Sequence, residues 1–286
     1  MSSCWTYTPN CRIPEGQQLP EGVRRFAAAL EYDGSRFCGW QTQKHSPSVQ
    51  AEVNRALSRV ADHDILSVCA GRTDTGVHAT NQIIHFDTTA FRNPVNWLKG
   101  SNSSLPDGIR LHQVYEVPAQ FHARFSAVSR TYRYIIYNKA VKPALLANAV
   151  TWFRQPLDEA SMHQAAQRLL GEQDFSAFRA TGCQSDSPFR NVMAARVWRQ
   201  GQLVIFEITA NAFLYHMVRN LVGALLAVGR GQLSIAGFAE LLASRDRTIA
   251  PATAAADGLY LVAVAYKAAF SFFNDLEKGP EFILTD

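Results

Sequence analysis

The sequence lacks the features that would place it in several specialised classes. Its cysteines (Cys4, Cys11, Cys38, Cys69 and Cys183) are scattered and never form a C-x-x-C pair, which argues against a disulfide framework and a zinc site. No glycine-rich phosphate loop of the P-loop or dinucleotide-binding type is present, so we expect no nucleotide cofactor. The pattern indicates free thiols in a reducing compartment.

Long apolar runs are also missing. Residues 1–22 have no basic segment followed by an apolar core, so they are interpreted as a loose extension rather than a signal peptide. The most apolar long stretch, Phe213–Val228, is too short to span a bilayer and includes a histidine and an arginine. We therefore expect a cytoplasmic protein with no membrane partner.

Acidic residues are absent from long parts of the second half. None occurs in residues 117–157, which carry Arg124, Arg130, Arg133, Lys139, Lys142 and Arg154, and none occurs in residues 187–206. The net charge of +4 decides little, but acid-free blocks within a folded chain suit contact with a polyanion. Arginines scattered over a solvated surface are the alternative.

The chain mixes strand and helix patterns without strict alternation. Apolar periodicity and turn signals predict strands over residues 26–32, 65–69, 82–87, 109–117, 131–137, 192–199, 203–210 and 259–266. They predict helices starting near Ser46-Pro47 and over residues 93–100, 157–170, 214–228 and 235–243. This order favours an α+β fold of two similar domains, with a cleft between them as the usual place for a site.

The predicted domain boundaries follow from that rhythm and the 286-residue length. We expect an N-terminal extension over residues 1–22, an N-terminal α+β domain over 23–118, a C-terminal α+β domain over 119–267 and a tail over 268–286.

The most informative motif is the run from Gly71 to Ala79. Asp74 stands between two threonines in a glycine-bracketed turn, with Arg72 two positions before it. If the chain is extended there, both side chains leave the same face, and the guanidinium favours the ionised carboxylate. The arrangement suits an activated aspartate nucleophile, although an Asp-Thr-Gly turn on the surface is the simpler alternative.

Other polar residues carry weaker signals. Arg219 lies in an apolar helix pattern and needs an anionic partner, either a structural carboxylate or a site carboxylate. The segment Arg130–Tyr134 alternates arginines with aromatic rings, a pattern typical of RNA contact or of an ordinary half-buried strand. His78 and His85 have no cysteine or acidic cluster beside them, so we predict no metal site. We interpret His122 and His216 as packing or hydrogen-bonding residues.

Taken together, the motifs resemble the TruA family of tRNA pseudouridine synthases. The match runs from Arg24 to Lys267, with Thr75 standing where many members have alanine. It rests on these segments in order: Tyr32–Gly34, Phe37–Gln41, Val49–Gln50, Gly71–Ala79, Phe121–Arg124, Arg130–Tyr134, Asp174–Arg179, Asn211–Arg219, Ala250–Pro251 and Gly258–Leu261.

The resemblance implies a fold, a reaction and roles for particular residues. It implies two α+β domains with the active-site cleft between them, a homodimer, and isomerisation of uridine to pseudouridine at positions 38 to 40 of the tRNA anticodon stem-loop. No cofactor, metal or DNA partner is expected. Asp74 takes the nucleophile position, Tyr132 the tyrosine that stacks on the target base, Arg219 the arginine that pairs with the nucleophile, and Arg72 helps to organise the loop.

Two other functions remain open at this point. A non-catalytic RNA-binding protein would need the basic surface but not Asp74. A glycoside or nucleoside hydrolase usually needs two carboxylates at the scissile bond, and the motif supplies one.

Overall fold

Residues Phe26–Leu30 are fully buried because they form the middle of an antiparallel sheet. The computed structural model describes residues 7–276, and its contacts divide the chain into unit 1 (residues up to 128 and from 263) and unit 2 (residues 129–262). The sheet of unit 1 has the order β4-β1-β3, with the short β2 paired to β3. Its strands are β1 (Arg24–Tyr32), β2 (Val68–Cys69), β3 (His78–Thr88) and β4 (Ile109–Glu116).

Two helices complete unit 1. Helix α1 (Val49–Ala61) packs against α2 (Pro94–Asn102), and α2 packs against β4. We predicted that α1 begins near Ser46 with Pro47 in its first turn, and this prediction was wrong. Ser48 is the N-cap, because the amide of Cys38 donates to the Pro47 carbonyl and holds the preceding chain in an extended form.

Unit 2 also combines antiparallel strands with helices. Its strand order is β5-β9-β8-β7, and β6 runs parallel to β5. The strands are β5 (Ala127–Asn138), β6 (Thr151–Phe153), β7 (Gly171–Asp174), β8 (Phe189–Gln200) and β9 (Leu203–Ala210). The helices are α3 (Glu159–Ala166), α4 (Met217–Gly229) and α5 (Ile235–Ser244). Helix α3 packs against β8. Strand β10 (Leu259–Tyr266) runs from unit 2 into unit 1.

This architecture confirms the predicted α+β class, because both units combine antiparallel strands with helices. The division into an extension, two domains and a tail remains a prediction. Among the helices of residues 7–276, none combines the length and the apolarity needed to cross a bilayer.

A buried ion pair joins the two longest strands of unit 1. Arg25 and Asp87 face each other across β1 and β3, and both side chains are inaccessible to solvent. Nε and NH2 of Arg25 donate to the two carboxylate oxygens at 2.7 and 2.8 Å. The remaining guanidinium hydrogens reach the carbonyls of Cys11, Ala119 and Phe121. Burial raises the pKa of Asp87, but the hydrogen bonds and charge of Arg25 outweigh it and leave the pKa below its ordinary value.

The same ion pair binds part of the N-terminal extension. The Tyr7 hydroxyl and the Asn10 amide both donate to Asp87, at 3.0 and 2.7 Å, and the Asn10 side-chain oxygen accepts from the Asp87 amide. Ile13 is buried as well. The prediction of a loose extension was therefore wrong for residues 7–13, because their polar groups donate to a carboxylate 77 to 80 positions away.

His85 and His122 lie next to this ion pair. Their ring centroids are 4.5 Å apart, and both side chains are buried. Burial, His122 and Arg25 lower the pKa of His85 to about 3. Burial and Arg25 lower the pKa of His122 to about 4. Both rings are thus neutral acceptors in the fold: His85 Nδ1 accepts from the Ala123 amide, and His122 Nδ1 accepts from the amides of Arg124 and Phe125.

This arrangement predicts how stability depends on pH. The unfolded chain takes up protons on these histidines below about pH 6.5, whereas the folded protein does not until about pH 3 to 4. The free energy of unfolding should fall as pH drops from about 6.5, by up to about 1.4 kcal/mol per pH unit for each histidine. Urea unfolding between pH 7.5 and 5.5 measures this slope. The double variant His85→Gln, His122→Gln should flatten this slope, whereas the single variant His45→Gln, at an exposed position, should keep it. Equal slopes in the two variants would contradict the account.

Candidate active site

The loop that carries Asp74 connects β2 to β3, and the strand pairing fixes both of its ends. The Ala70 amide donates to the Ile83 carbonyl at 2.8 Å. The buried side chain of Gln82 holds Gly71, the residue after Ala70, at two points. Its Nε2 donates to the Gly71 carbonyl at 2.6 Å, and its Oε1 accepts from the Gly71 amide at 3.3 Å. The loop therefore leaves the sheet in a defined direction.

Thr73 anchors the loop beside Asp74. Its side chain is buried, and its hydroxyl lies 2.8 Å from the Tyr32 hydroxyl. Its carbonyl accepts from the Trp40 amide at 3.0 Å. The chain then turns back, with the Val77 amide donating to the Asp74 carbonyl at 3.1 Å. Gly76 supplies the positive φ of 80° that this turn requires at its third residue.

Two glycines let the segment after β1 approach this loop closely. A Cβ on Gly39 would lie 2.8 Å from the Thr73 carbonyl oxygen, and a Cβ on Gly34 would overlap the Val77 carbonyl. The Gly34 amide also donates to Nδ1 of His78 at 3.1 Å. The Tyr-Asp-Gly and Gly-Trp-Gln motifs of the sequence are therefore the supports of the Asp74 loop.

Asp74 is half-buried on this supported loop, and Arg72 is exposed two residues before it. Neither residue lies in a strand, so the alternation of strand side chains does not decide their relative direction. Burial raises the pKa of the Cys69 thiol to about 12, while Arg72 and Arg124 oppose that rise. Both guanidinium groups are thus close enough to act on the base of the loop. The sequence analysis named Arg124 only as one of the cations of residues 117–157 and as part of a motif.

In unit 2, Tyr132 lies on β5 opposite Ile208. Its side chain is 9% exposed and meets the ring of Phe213 edge-on, with the centroids 4.9 Å apart. Phe213 belongs to the segment between β9 and α4. NH1 of Arg130 fixes the start of this segment by donating to the Asn211 carbonyl at 3.0 Å.

Arg219 lies in the first turn of α4. We predicted that this helix begins at Leu214, but it begins at Met217, because His216 adopts a left-handed conformation with φ 57°. Nε of Arg219 donates to the Ala254 carbonyl at 2.9 Å, and NH1 lies 3.4 Å from Nε2 of His216. The start of a helix disfavours cations, so this position favours a nearby anion.

Tyr132 and Arg219 both contact the segment that precedes α4. Phe213 contacts Tyr132, and His216 contacts Arg219. Both Phe213 and His216 belong to the segment before α4. Tyr134, two positions along β5 and on the same face as Tyr132, lies near Arg219: burial raises the pKa of Tyr134, and the charge of Arg219 opposes this. The face of β5 that carries Tyr132 is therefore directed toward the start of α4.

Close packing fixes α4 in this place. A Cβ on Gly223 would overlap the Ala252 carbonyl, so the missing side chain allows close packing on that side of the helix. The buried Asn220 accepts hydrogen bonds from Thr253 and Arg247 at 2.6 and 3.1 Å. Sequence reasoning missed Asn220 and Gln82, because each acts on residues brought near only by the fold.

Comparison with known proteins identifies the family. A sequence profile described as tRNA pseudouridine synthase matches residues 28–126 and 165–267. The tRNA pseudouridine synthase A of Shigella boydii serotype 4 is 53% identical over 268 residues, covering 94% of this chain and 97% of that protein. The enzyme of the same name from Salmonella typhimurium strain LT2 is 54% identical over 265 residues, covering 93% and 96%.

Among solved structures, a chain from an H/ACA RNP bound to a substrate RNA containing 2'-deoxyuridine covers 71% of this chain and 44% of its own. It has 11% identity and a TM-score of 0.37. The profile and the curated relatives both span most of the chain. The chain therefore belongs to the TruA family of tRNA pseudouridine synthases, which are isomerases that act on tRNA.

Proposed function

We propose that the protein converts uridine to pseudouridine at positions 38 to 40 in the anticodon stem-loop of tRNA, with Asp74 as the nucleophile. The observation that carries the proposal is the support of Asp74: its neighbour Thr73 is fixed by Tyr32 and Trp40, and its own carbonyl closes a glycine turn. A single carboxylate is thus presented on a loop that is held by hydrogen bonds at several points, in a chain of this family.

The reaction needs only proton transfers besides the exchange of one bond. The N1–C1′ glycosidic bond breaks, the uracil turns, and a C5–C1′ bond forms. N1 gains a proton and C5 loses one, so nothing is oxidised or consumed. The proposed role of Asp74 is to act on the uridine while this bond is exchanged.

The arginines have an electrostatic role in this proposal. A uridine bound over Asp74 would exclude water and disfavour the charged carboxylate, whereas a neighbouring guanidinium favours it. We assign this role to Arg219, whose position at the start of α4 favours an anion, and we assign the organisation of the loop to Arg72.

Tyr132 is proposed to stack on the target base once the base has left its helix. Flipping a base costs a few kcal/mol, and stacking on an aromatic ring returns roughly 1–3 kcal/mol. Tyr132→Phe should therefore keep most of the activity. Tyr132→Ala should lower kcat/KM by about 5- to 150-fold, the equivalent of that energy. The comparison is made on unmodified tRNA under single-turnover conditions, and equal activity of both variants would remove stacking from the account.

A set of matched tRNAs tests the target positions. Transcripts with uridine at position 38, 39 or 40 should each gain pseudouridine there, and the same transcripts with cytidine at that position should not. Release of free uracil would indicate hydrolysis instead. The predicted homodimer and cytoplasmic location remain predictions, and sedimentation of the purified protein measures the first.

A further inference from the structure

A groove lies between helix α2 and the last turn of helix α1 in unit 1. It has a volume of about 490 Å³ and carries Arg59 from α1, Arg92 from the loop before α2, and Lys99 from α2. Its remaining lining residues are uncharged: Val60, Asn96, Gly100, Ser103 and Ser104. We call this the basic groove. None of its residues belongs to the Asp74 loop, so it is a separate surface.

Helix packing holds two of these cations at the groove. A Cβ on Gly100 would lie 2.8 Å from Cγ2 of Val60, so the missing side chain lets α2 approach α1 closely at this point. Arg59 and Lys99 are the direct chain neighbours of Val60 and Gly100. The contact therefore fixes the backbone positions from which both cations extend.

The residues that line the basic groove do not neutralise its positive charges. All three cations are exposed, and in residues 7–276 none of them forms an ion pair with an aspartate or glutamate. The nearby Glu116 pairs with Arg24, whose NH1 in turn donates to the Arg92 carbonyl at 3.4 Å. Three like charges along one groove repel each other and create a positive potential that favours an anion.

An exposed aromatic ring beside the groove points to nucleic acid rather than a small anion. Phe91 precedes Arg92 in the chain and is 87% exposed, and the guanidinium of Arg24 lies 5.3 Å from its ring centroid. Cations that meet phosphates, combined with a ring on which a base or ribose rests, are the usual elements of RNA binding. We propose, in an inference that rests on the proposed action on tRNA, that the basic groove binds phosphate groups of the tRNA backbone as a docking surface separate from the Asp74 loop.

Salt dependence of tRNA binding tests this proposal. The double variant Arg59→Gln, Lys99→Gln removes two phosphate contacts. The slope of log Kobs against log salt concentration should then become shallower by about 1.4–1.8, or about 0.7–0.9 per contact. The dissociation constant is measured between 50 and 200 mM KCl with unmodified tRNA, and thermal unfolding confirms that the exposed substitutions leave the fold intact. Because binding is measured rather than turnover, the result is independent of the role of Asp74.

Two further variants serve as controls. Arg55→Gln removes an exposed cation one turn earlier on α1, where Arg55 pairs with Glu52 outside the groove, so it should keep the wild-type slope. Lys99→Arg keeps the charge and should keep binding. The proposal is overturned if the double variant has the wild-type slope, or if Arg55→Gln lowers the slope as much per charge as the groove substitutions do.

Discussion

Asp74→Asn should abolish pseudouridine formation while tRNA binding survives. Asparagine has nearly the same shape as aspartate but provides no anionic oxygen for the uridine. The loop itself should persist, because Thr73, Gln82 and backbone groups hold it in place. Loss of a nucleophile that acts in the transition state lowers kcat by at least about 10³-fold.

The matched control is Asp107→Asn, which removes the same charge from an exposed residue of unit 1 that pairs with Arg110. It should turn over at the wild-type rate. Single-turnover rates at saturating protein, together with tRNA dissociation constants, separate catalysis from binding. Normal turnover by Asp74→Asn would remove the nucleophile from the account, and a matching loss of binding would favour a structural role for this carboxylate.

Arg25→Met should destabilise the protein by about 3–5 kcal/mol, the usual cost of leaving one buried charge without its partner. Asp87 would lose both guanidinium hydrogen bonds, and the carbonyls of Cys11, Ala119 and Phe121 would lose their donors. Methionine fills a similar volume, so the loss reports charge and hydrogen bonding more than packing. The free energy of unfolding from urea titration measures it.

The neighbouring Arg24 provides a control on the same strand. Arg24 pairs with Glu116 at the surface, where ion pairs contribute about 0–1 kcal/mol. Arg24→Met should therefore cost no more than about 1 kcal/mol. A similar loss in both variants would show that the buried pair has no special part in stability.

The sequence predicted the strands with clear patterns more reliably than the helix ends. The strands predicted over residues 192–199, 203–210 and 259–266 follow from alternation, and the structure confirms them as β8, β9 and β10. Helix starts depend on local contacts, which explains the errors at α1 and α4. The short strands β6 and β7 were missed, because Gly171–Asp174 has no apolar pattern and becomes a strand only by pairing with β8.

Only part of the candidate site could be predicted from the sequence, for a related physical reason. Asp74 and Gly76 lie only two positions apart in the sequence, so their turn could be predicted from the residues alone. Arg24 and Arg25 are indistinguishable in the sequence, yet strand register buries Arg25 and leaves Arg24 partly exposed at the surface. The hydrogen bonds of Gln82 and Asn220, and the binding of Tyr7 and Asn10 to Asp87, depend equally on contacts that no local pattern encodes.

The most direct test of the central claim is a position-resolved map of pseudouridine in one unmodified tRNA. The map is made with the unaltered protein and with Asp74→Asn, each at a concentration that saturates the tRNA. The account predicts pseudouridine at positions 38 to 40 with the unaltered protein and none there with the variant. Pseudouridine at those positions with both proteins, or at other positions only, would contradict it.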